Sequence, residues 1–178
     1  MFDKYLYALG RGVRGAKQAY DAAAREPDAA ETARDVTPQE VLPRKPLLLG
    51  RRPLVMGIVN VTRPGHAPVS AEDEIARIVP VIDALARVTD LPLSIDTMKA
   101  KVAEAAIDAG ASIVNDVWGF QHDEDLARVV AERSVPAIIM HNRTELDPSL
   151  NIMDEILRFL SRSIEIALKA GVRKEQLL

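Results

Sequence analysis

Short apolar runs and stretches of helical periodicity alternate along the chain from about residue 47 onward. The apolar runs read LVMGIVNV, LPLSID, ASIVNDV and VPAIIMHN, and runs of this length are typical of strands covered on both faces. Between the runs, apolar residues recur at helical spacing, as in Ile75, Ile78, Val79, Ile82 and Leu85. This alternation predicts βαβ units with a parallel sheet, either as an open doubly wound sheet or as a (β/α) barrel.

Caps and glycines mark the expected helix boundaries. Ser70, with Asp73 three residues later, predicts the start of a capped helix. Gly110 and Gly171 predict the ends of the second and the last helix. The final VRKEQLL leads towards another strand. Residues 47–178 therefore predict about four parallel strands with their helices.

The first 46 residues follow a different pattern. Residues 1–26 have a basic amphipathic character, but Gly10, Gly12 and Gly15 interrupt it, and each glycine weakens a helix by about 1 kcal/mol relative to alanine. Residues 27–46 hold four prolines among small and charged residues, which is typical of a linker. We therefore predict an N-terminal extension and Pro-rich linker over residues 1–46, followed by one domain over residues 47–178.

Composition narrows the class of protein. A net charge of -3 over 178 residues is too small a bias to indicate a nucleic-acid-binding protein. The chain has no cysteine, which excludes disulfides and thiolate metal sites. No apolar run approaches the roughly 20 residues that span a bilayer, and the N-terminus lacks the apolar core of a secretory signal. We expect a cytoplasmic protein with no membrane span and no nucleic-acid partner.

Polar side chains follow every predicted strand. The strand ends carry Asn60, Asp96, Asn115 and, after Met140, Asn142. Because the carboxyl ends of parallel strands meet on one face, these groups indicate a ligand site there. Buried Asp and Asn side chains suit a flat, nitrogen-rich ligand such as an aminopyrimidinone. The alternative interpretation is that they only cap the helices that follow.

The loop after the first strand adds anion-binding chemistry. Arg63 and His66 suit an anionic oxygen such as that of pyrophosphate. Asn60 offers a neutral oxygen to Mg²⁺, which also relies on substrate phosphates and water.

The motifs LVMGIVNVT, TRPGHAPVSAEDE, PLSIDTMKAKVAEAAIDAGASIVNDVWGF and IIMHN, in this order, resemble dihydropteroate synthase, a pterin-binding family of the folate pathway. The resemblance covers the chain from about Leu47 to its end. It implies a (β/α)8 TIM-type barrel, present here in part. It also implies the condensation of 6-hydroxymethyl-7,8-dihydropterin pyrophosphate with 4-aminobenzoate, which gives dihydropteroate and pyrophosphate with the help of Mg²⁺.

The resemblance also implies roles for individual residues. Asn60 matches the ligand of the pyrophosphate-bound Mg²⁺. Thr62, Arg63 and Pro64 match a loop that builds the aminobenzoate site and steadies the leaving pyrophosphate.

The remaining roles fall on the later strand ends. Asp96 and Asn115 match partners of the pterin edge, and Met140 matches an apolar wall of the pterin pocket. Arg63 and Asp96 are the expected catalytic residues, with Asp96 stabilising the positive charge that develops as pyrophosphate departs.

The sequence departs from the family pattern at Thr62. In the family, the NVT strand end leads into a first loop, a helix and a second strand before TRPG, whereas here NVT runs directly into TRPG. We expect an internal deletion of about one αβ unit, on the order of 30 residues, and a missing C-terminal half. Either the protein is truncated and folds as a half-barrel or with a second chain, or the sequence is incomplete or degenerate. The second explanation is favoured because the junction falls inside two ligand-binding loops, and we expect little synthase activity from these residues alone.

Two other functions compete with the synthase. The first is a pterin-dependent methyltransferase domain, which shares the Asp and Asn strand ends. The second is a non-catalytic pterin-binding or partner protein that forms a homodimer or pairs with a full-length synthase.

Overall fold

The computed structural model of the protein describes residues 69–145 and 147–178. They fall into two units, which meet in sequence after Pro92 and are described separately. The predicted strand at residues 54–61, the extension and the predicted boundary at residue 46 all lie outside the described residues.

The first unit contributes one described helix, α1 (Ala71–Val88). The Ser70 hydroxyl accepts a hydrogen bond from the backbone N–H of Asp73 at 3.1 Å, so the predicted cap is confirmed. Three acidic residues follow in the first turn, where their negative charges interact favourably with the positive end of the helix dipole.

The second unit is built on a parallel sheet. Its strands are β1 (Ser94–Asp96), β2 (Ile113–Asp116) and β3 (Ala137–Ile139), and they pair in the order β1-β2-β3. Each strand thus pairs with the next strand along the chain. The predicted parallel α/β arrangement is confirmed for these residues.

A further parallel pairing forms on the outer edge of β3. Leu177 bridges to Ala137. The N–H of Leu178 donates to the Ala137 carbonyl at 2.9 Å, and the N–H of Ile139 donates to the Leu178 carbonyl at 3.0 Å. The predicted turn of VRKEQLL towards a strand is therefore confirmed at its last two residues.

Three helices follow the three strands: α2 (Ala100–Asp108), α3 (Asp125–Arg133) and α4 (Ile152–Lys169). The core of this unit holds Val102 and Ala106 of α2, Val114 of β2, and Leu126 and Val130 of α3, all fully buried. Small alanine side chains on α2 suit close packing, because protein interiors are filled at crystal-like density.

Glycines end two of these helices as predicted. Gly110 follows α2 with φ +114° and Gly171 follows α4 with φ +96°, in the left-handed region that favours glycine. Helix α3 instead ends at Ser134 with φ +53°. Because this residue is not glycine, the sequence gives no signal for this helix end. Within the described ranges, no helix combines the length and the apolar character needed to cross a membrane.

Candidate functional site

The carboxyl ends of β1 and β2 bring Asp96 and Asn115 side by side. They are direct partners in the parallel register, and the Thr97 N–H donates to the Asn115 carbonyl at 3.1 Å. Neighbouring strands lie about 4.8 Å apart and paired residues point to the same face. The two residues predicted to bind the pterin edge are therefore adjacent on one face of the sheet.

Met140 lies at the end of the next strand on that same face. Asn115 pairs with Ile138, and the Met140 N–H donates to the Asp116 carbonyl at 3.2 Å, which continues the ladder past β3. Because side chains alternate along an extended chain, Met140 shares the face of Ile138. Its 48% exposure leaves an apolar side chain at the edge of this face.

The expectation that the strand-end acids are buried is wrong for Asp96. Exposure alternates along β1, with Ser94 and Asp96 exposed and Ile95 buried. Asn115 is half-buried. The apolar run LPLSID predicts cover on both faces of β1, but only the face of Ile95 is buried there.

Asp116, beside Asn115, is the buried carboxylate of the site, at 1% exposure. Its Oδ1 accepts from the Trp118 N–H at 2.9 Å and its Oδ2 accepts from the Phe120 N–H at 2.6 Å. Burial raises the pKa of Asp116, and the negative charge of Asp96 adds to this. The two N–H bonds and nearby His122 work in the opposite direction but do not cancel it.

The carboxylate of Asp116 folds residues 116–120 into a tight turn. Gly119 and Phe120 both have positive φ, +55° and +65°, and such a conformation is uncommon for a side chain like that of Phe. Phe120 is fully buried, so its side chain packs in the core under the loop. The sequence analysis did not predict this turn. The signal that could have indicated it is Asp116 followed three residues later by Gly119.

Gln121 anchors this turn to α4. Its Nε2 donates to the Phe159 carbonyl at 3.0 Å and to the Ser163 Oγ at 2.9 Å. The contact is close, because a Cβ added to Gly119 would overlap the Ser163 hydroxyl. The loop between β2 and α3 is therefore held at both ends.

Asp123, in the same loop, caps two helices. Its Oδ2 accepts from the Ala100 N–H at 2.8 Å, at the start of α2. Its Oδ1 accepts from the Asp125 N–H at 3.1 Å, at the start of α3. The N-cap residues of these helices, Lys99 and Glu124, make no side-chain capping bond of their own. One carboxylate thus joins the β1–α2 connection to the β2–α3 loop.

The β3 end carries a second polar group, away from the Asp96–Asn115 pair in sequence. His141 Nε2 lies 3.1 Å from Glu155 Oε1, and Arg143 Nη1 donates to Glu155 Oε2 at 3.4 Å. The His141 ring meets Phe159 edge-to-face, with centroids 5.0 Å apart. These contacts attach the start of the β3–α4 connection to α4.

The other predicted site residues, Asn60, Thr62, Arg63 and Pro64, lie outside the described residues. Across residues 69–145 and 147–178, no three or more His, Asp and Glu side chains gather closely enough to hold a metal ion. The described residues therefore do not by themselves form a Mg²⁺ site.

Comparison with known proteins adds the family. The sequence profile of pterin-binding enzymes matches residues 58–178. The chain belongs to the pterin-binding enzyme family. A dihydropteroate synthase of Clostridium beijerinckii is 50% identical over 117 residues, which is 66% of this chain and 43% of that protein. The chain thus spans less than half the length of this relative.

Solved structures of family members agree in fold. A Clostridium difficile dihydropteroate synthase, crystallised in the presence of pteroic acid, matches with TM-score 0.62 and 43% identity over 65% of this chain and 44% of its own. A Xanthomonas albilineans dihydropteroate synthase with 4-aminobenzoic acid matches with TM-score 0.60 and 39% identity, over 65% of this chain and 42% of its own. The resemblance stated from the sequence motifs is therefore confirmed at the level of the family.

Proposed function

We propose that the chain provides the pterin-binding strand ends of a dihydropteroate synthase that acts in folate biosynthesis. The observation that carries this proposal is the pairing of Asp96 with Asn115 at the carboxyl edge of the sheet, in a chain of the pterin-binding family. The substrates are 6-hydroxymethyl-7,8-dihydropterin pyrophosphate and 4-aminobenzoate.

The chemistry of the pair fits an aminopyrimidinone edge. A carboxylate at Asp96 accepts hydrogen bonds from ring and amino N–H groups, while the Asn115 amide both donates and accepts. A ligand without the matching edge leaves a buried group unsatisfied, at a cost of about 1–3 kcal/mol, and this cost applies more to the half-buried Asn115 than to the exposed Asp96. Met140, on the same face, offers an apolar contact to the flat ring.

The reaction replaces a C–O bond with a C–N bond. Pyrophosphate leaves from the methylene carbon of the pterin, and the amine nitrogen of 4-aminobenzoate bonds to that carbon and releases a proton. The carboxylate of Asp96 would stabilise the positive charge that builds on the pterin as pyrophosphate departs. Thr62, Arg63 and Pro64 are proposed to steady the pyrophosphate, and Mg²⁺, with Asn60 as a ligand, would neutralise part of its charge.

The barrel is part of the same proposal. Strands that pair in chain order, without a reversal, are what a closed (β/α) barrel requires, whereas a doubly wound sheet reverses its order at a switch point. The pairing of residues 177–178 with β3 continues that order. The predicted homodimer, or pairing with a full-length synthase, stays a prediction.

Pterin binding by this chain, with and without Asp96→Asn and Asn115→Ala, tests the proposal. We expect titration calorimetry with 6-hydroxymethylpterin to show binding that each substitution weakens by about tenfold or more, because each removes a hydrogen bond to the ring edge. Asp147→Asn is the matched control, because that carboxylate accepts from Ser149 in an exposed loop. Equal affinity in all four proteins would contradict the proposal.

Turnover is a separate measurement. We expect little pyrophosphate release when the 178-residue chain is given both substrates. Transfer of a methyl group from a methylated folate would instead identify a methyltransferase.

A further inference from the structure

Asp116 is a buried, hydrogen-bonded residue next to the proposed ligand face, and the proposed reaction does not use it. Its carboxylate is buried and accepts two backbone N–H bonds from the turn that follows it. Register places its side chain on the face opposite to that of Asn115, because neighbouring residues of a strand alternate. Asp116 therefore contributes through the backbone and not by touching a ligand on the Asn115 face.

The backbone of residues 115–116 joins all three strand ends. The Asn115 carbonyl accepts from the Thr97 N–H at 3.1 Å, directly after Asp96. The Asp116 carbonyl accepts from the Met140 N–H at 3.2 Å and from the Gly119 N–H at 3.2 Å. A shift of this peptide consequently moves Asn115 relative to both of its neighbours on the ligand face.

The turn after Asp116 is strained and needs to be held. Phe120 has φ +65°, a conformation that costs on the order of 1 kcal/mol or more for a residue other than glycine. The carboxylate of Asp116 holds the Phe120 N–H directly at 2.6 Å, and Gln121 fixes the far end of the turn on α4. Without the carboxylate, the near end of the turn loses the bonds that set the direction of the chain at residues 115–116.

We propose that Asp116 is a positioning residue: its carboxylate fixes the turn at residues 116–120 and thereby holds Asn115 in register with Asp96 and Met140 for pterin binding. This inference rests on the proposed function, which supplies the ligand. It assigns to Asp116 an effect on ligand affinity that exceeds its effect on folding.

The chain contains a built-in reporter for this turn. Trp118 is its single tryptophan, and the Trp118 N–H is one of the two donors to Asp116. Fluorescence emission excited selectively from tryptophan therefore reports on this turn, while far-ultraviolet circular dichroism reports on the helices.

The test is Asp116→Asn in the full chain, with 6-hydroxymethylpterin as the probe in titration calorimetry. Asparagine keeps the shape and one acceptor oxygen, but its NH₂ group faces an N–H donor, so one of the two bonds is lost. We expect about tenfold weaker pterin binding, a changed Trp118 signal and unchanged helix content. Asp147→Asn is the control, since the Asp147 carboxylate also accepts from a neighbouring N–H but in an exposed loop, and it should leave all three signals unchanged.

Two outcomes separate this inference from the function on which it rests. If the wild-type chain binds pterin and D116N binds it equally well while the Trp118 signal changes, the turn does not position the site and the inference alone is overturned. If the wild-type chain does not bind pterin, the proposed function fails, and the inference fails with it.

A second measurement covers a D116N variant that does not fold. Amide hydrogen exchange in the wild-type chain should slow at Trp118 and Phe120 when 6-hydroxymethylpterin binds, because a ligand that needs the turn in place also stabilises it. The Ser149 amide, bonded to Asp147, should exchange at the same rate with and without the ligand. Unchanged exchange at Trp118 and Phe120 in the bound protein would overturn the inference.

Discussion

Removing the Asp123 carboxylate should destabilise the protein by about 2 kcal/mol. Asp123 accepts from the Ala100 N–H at 2.8 Å and from the Asp125 N–H at 3.1 Å, and so caps both α2 and α3. One capping bond is worth about 0.5–2 kcal/mol. Loss of two in Asp123→Ala therefore predicts about 2 kcal/mol, and Asp123→Asn, which keeps one acceptor oxygen, predicts about half of that.

Urea unfolding followed by far-ultraviolet circular dichroism measures this effect. With a slope of about 2 kcal/mol per molar urea, which is typical of small proteins, the midpoint of D123A should fall by about 1 M. Glu124→Ala is the matched control, because Glu124 is the adjacent residue and makes no capping bond with its side chain. Its unfolding free energy should change by less than about 0.5 kcal/mol.

The order of stability of the three variants tests whether Asp123 caps both helices. D123A should be the least stable, D123N intermediate, and E124A close to the wild type. A D123A midpoint no lower than that of E124A would refute the reasoning, because it would mean that solvent replaces both capping bonds without cost.

Two further predictions concern the turn beside Asp116. Gly119→Ala should destabilise the protein by about 3 kcal/mol, from left-handed strain and from overlap with the Ser163 hydroxyl. Gly171→Ala, where the added Cβ meets only Ala131 at 3.8 Å, should cost about 1–2 kcal/mol of strain alone; thermal midpoints in the opposite order would contradict this. Burial raises the folded-state pKa of Asp116 above 3.8, so the ionised carboxylate costs stability at neutral pH. The free energy of unfolding of the wild type should therefore increase relative to that of Asp116→Asn as the pH falls through the raised pKa. Urea midpoints of both proteins, measured as the pH is lowered from neutral, should show that the difference between the two midpoints changes. A constant difference would exclude the raised pKa.

The helices were predictable from the sequence because their signals are local. Apolar spacing, the Ser70 cap and the glycines at 110 and 171 all act within one or two turns of chain, and the structure bears them out. The strand positions follow from apolar runs. Their hydrogen-bonded lengths are shorter than those runs, because a residue joins the ladder only where a neighbouring strand is beside it.

The strand-end positions of the proposed site residues could be predicted from the sequence, but the contacts that hold them in place could not. Asp96, Asn115 and Met140 follow apolar runs, so their place at strand ends can be read directly. The exposure of Asp96 cannot, because a continuous apolar run does not tell which face of a strand is covered. The bond from Asp123 to Ala100 joins residues far apart in sequence, and the left-handed Phe120 depends on contacts that no local pattern records.

The pairing of each strand with the strand before it has a consequence for how this domain forms. Partners in the sheet are separated by roughly twenty residues, one helix and two loops, so each closure costs little chain entropy and that cost grows only slowly with loop length. Each new strand can therefore pair with the edge of a strand that has already been synthesised. The sheet can therefore assemble in the order of synthesis, one βα unit at a time, as the chain leaves the ribosome.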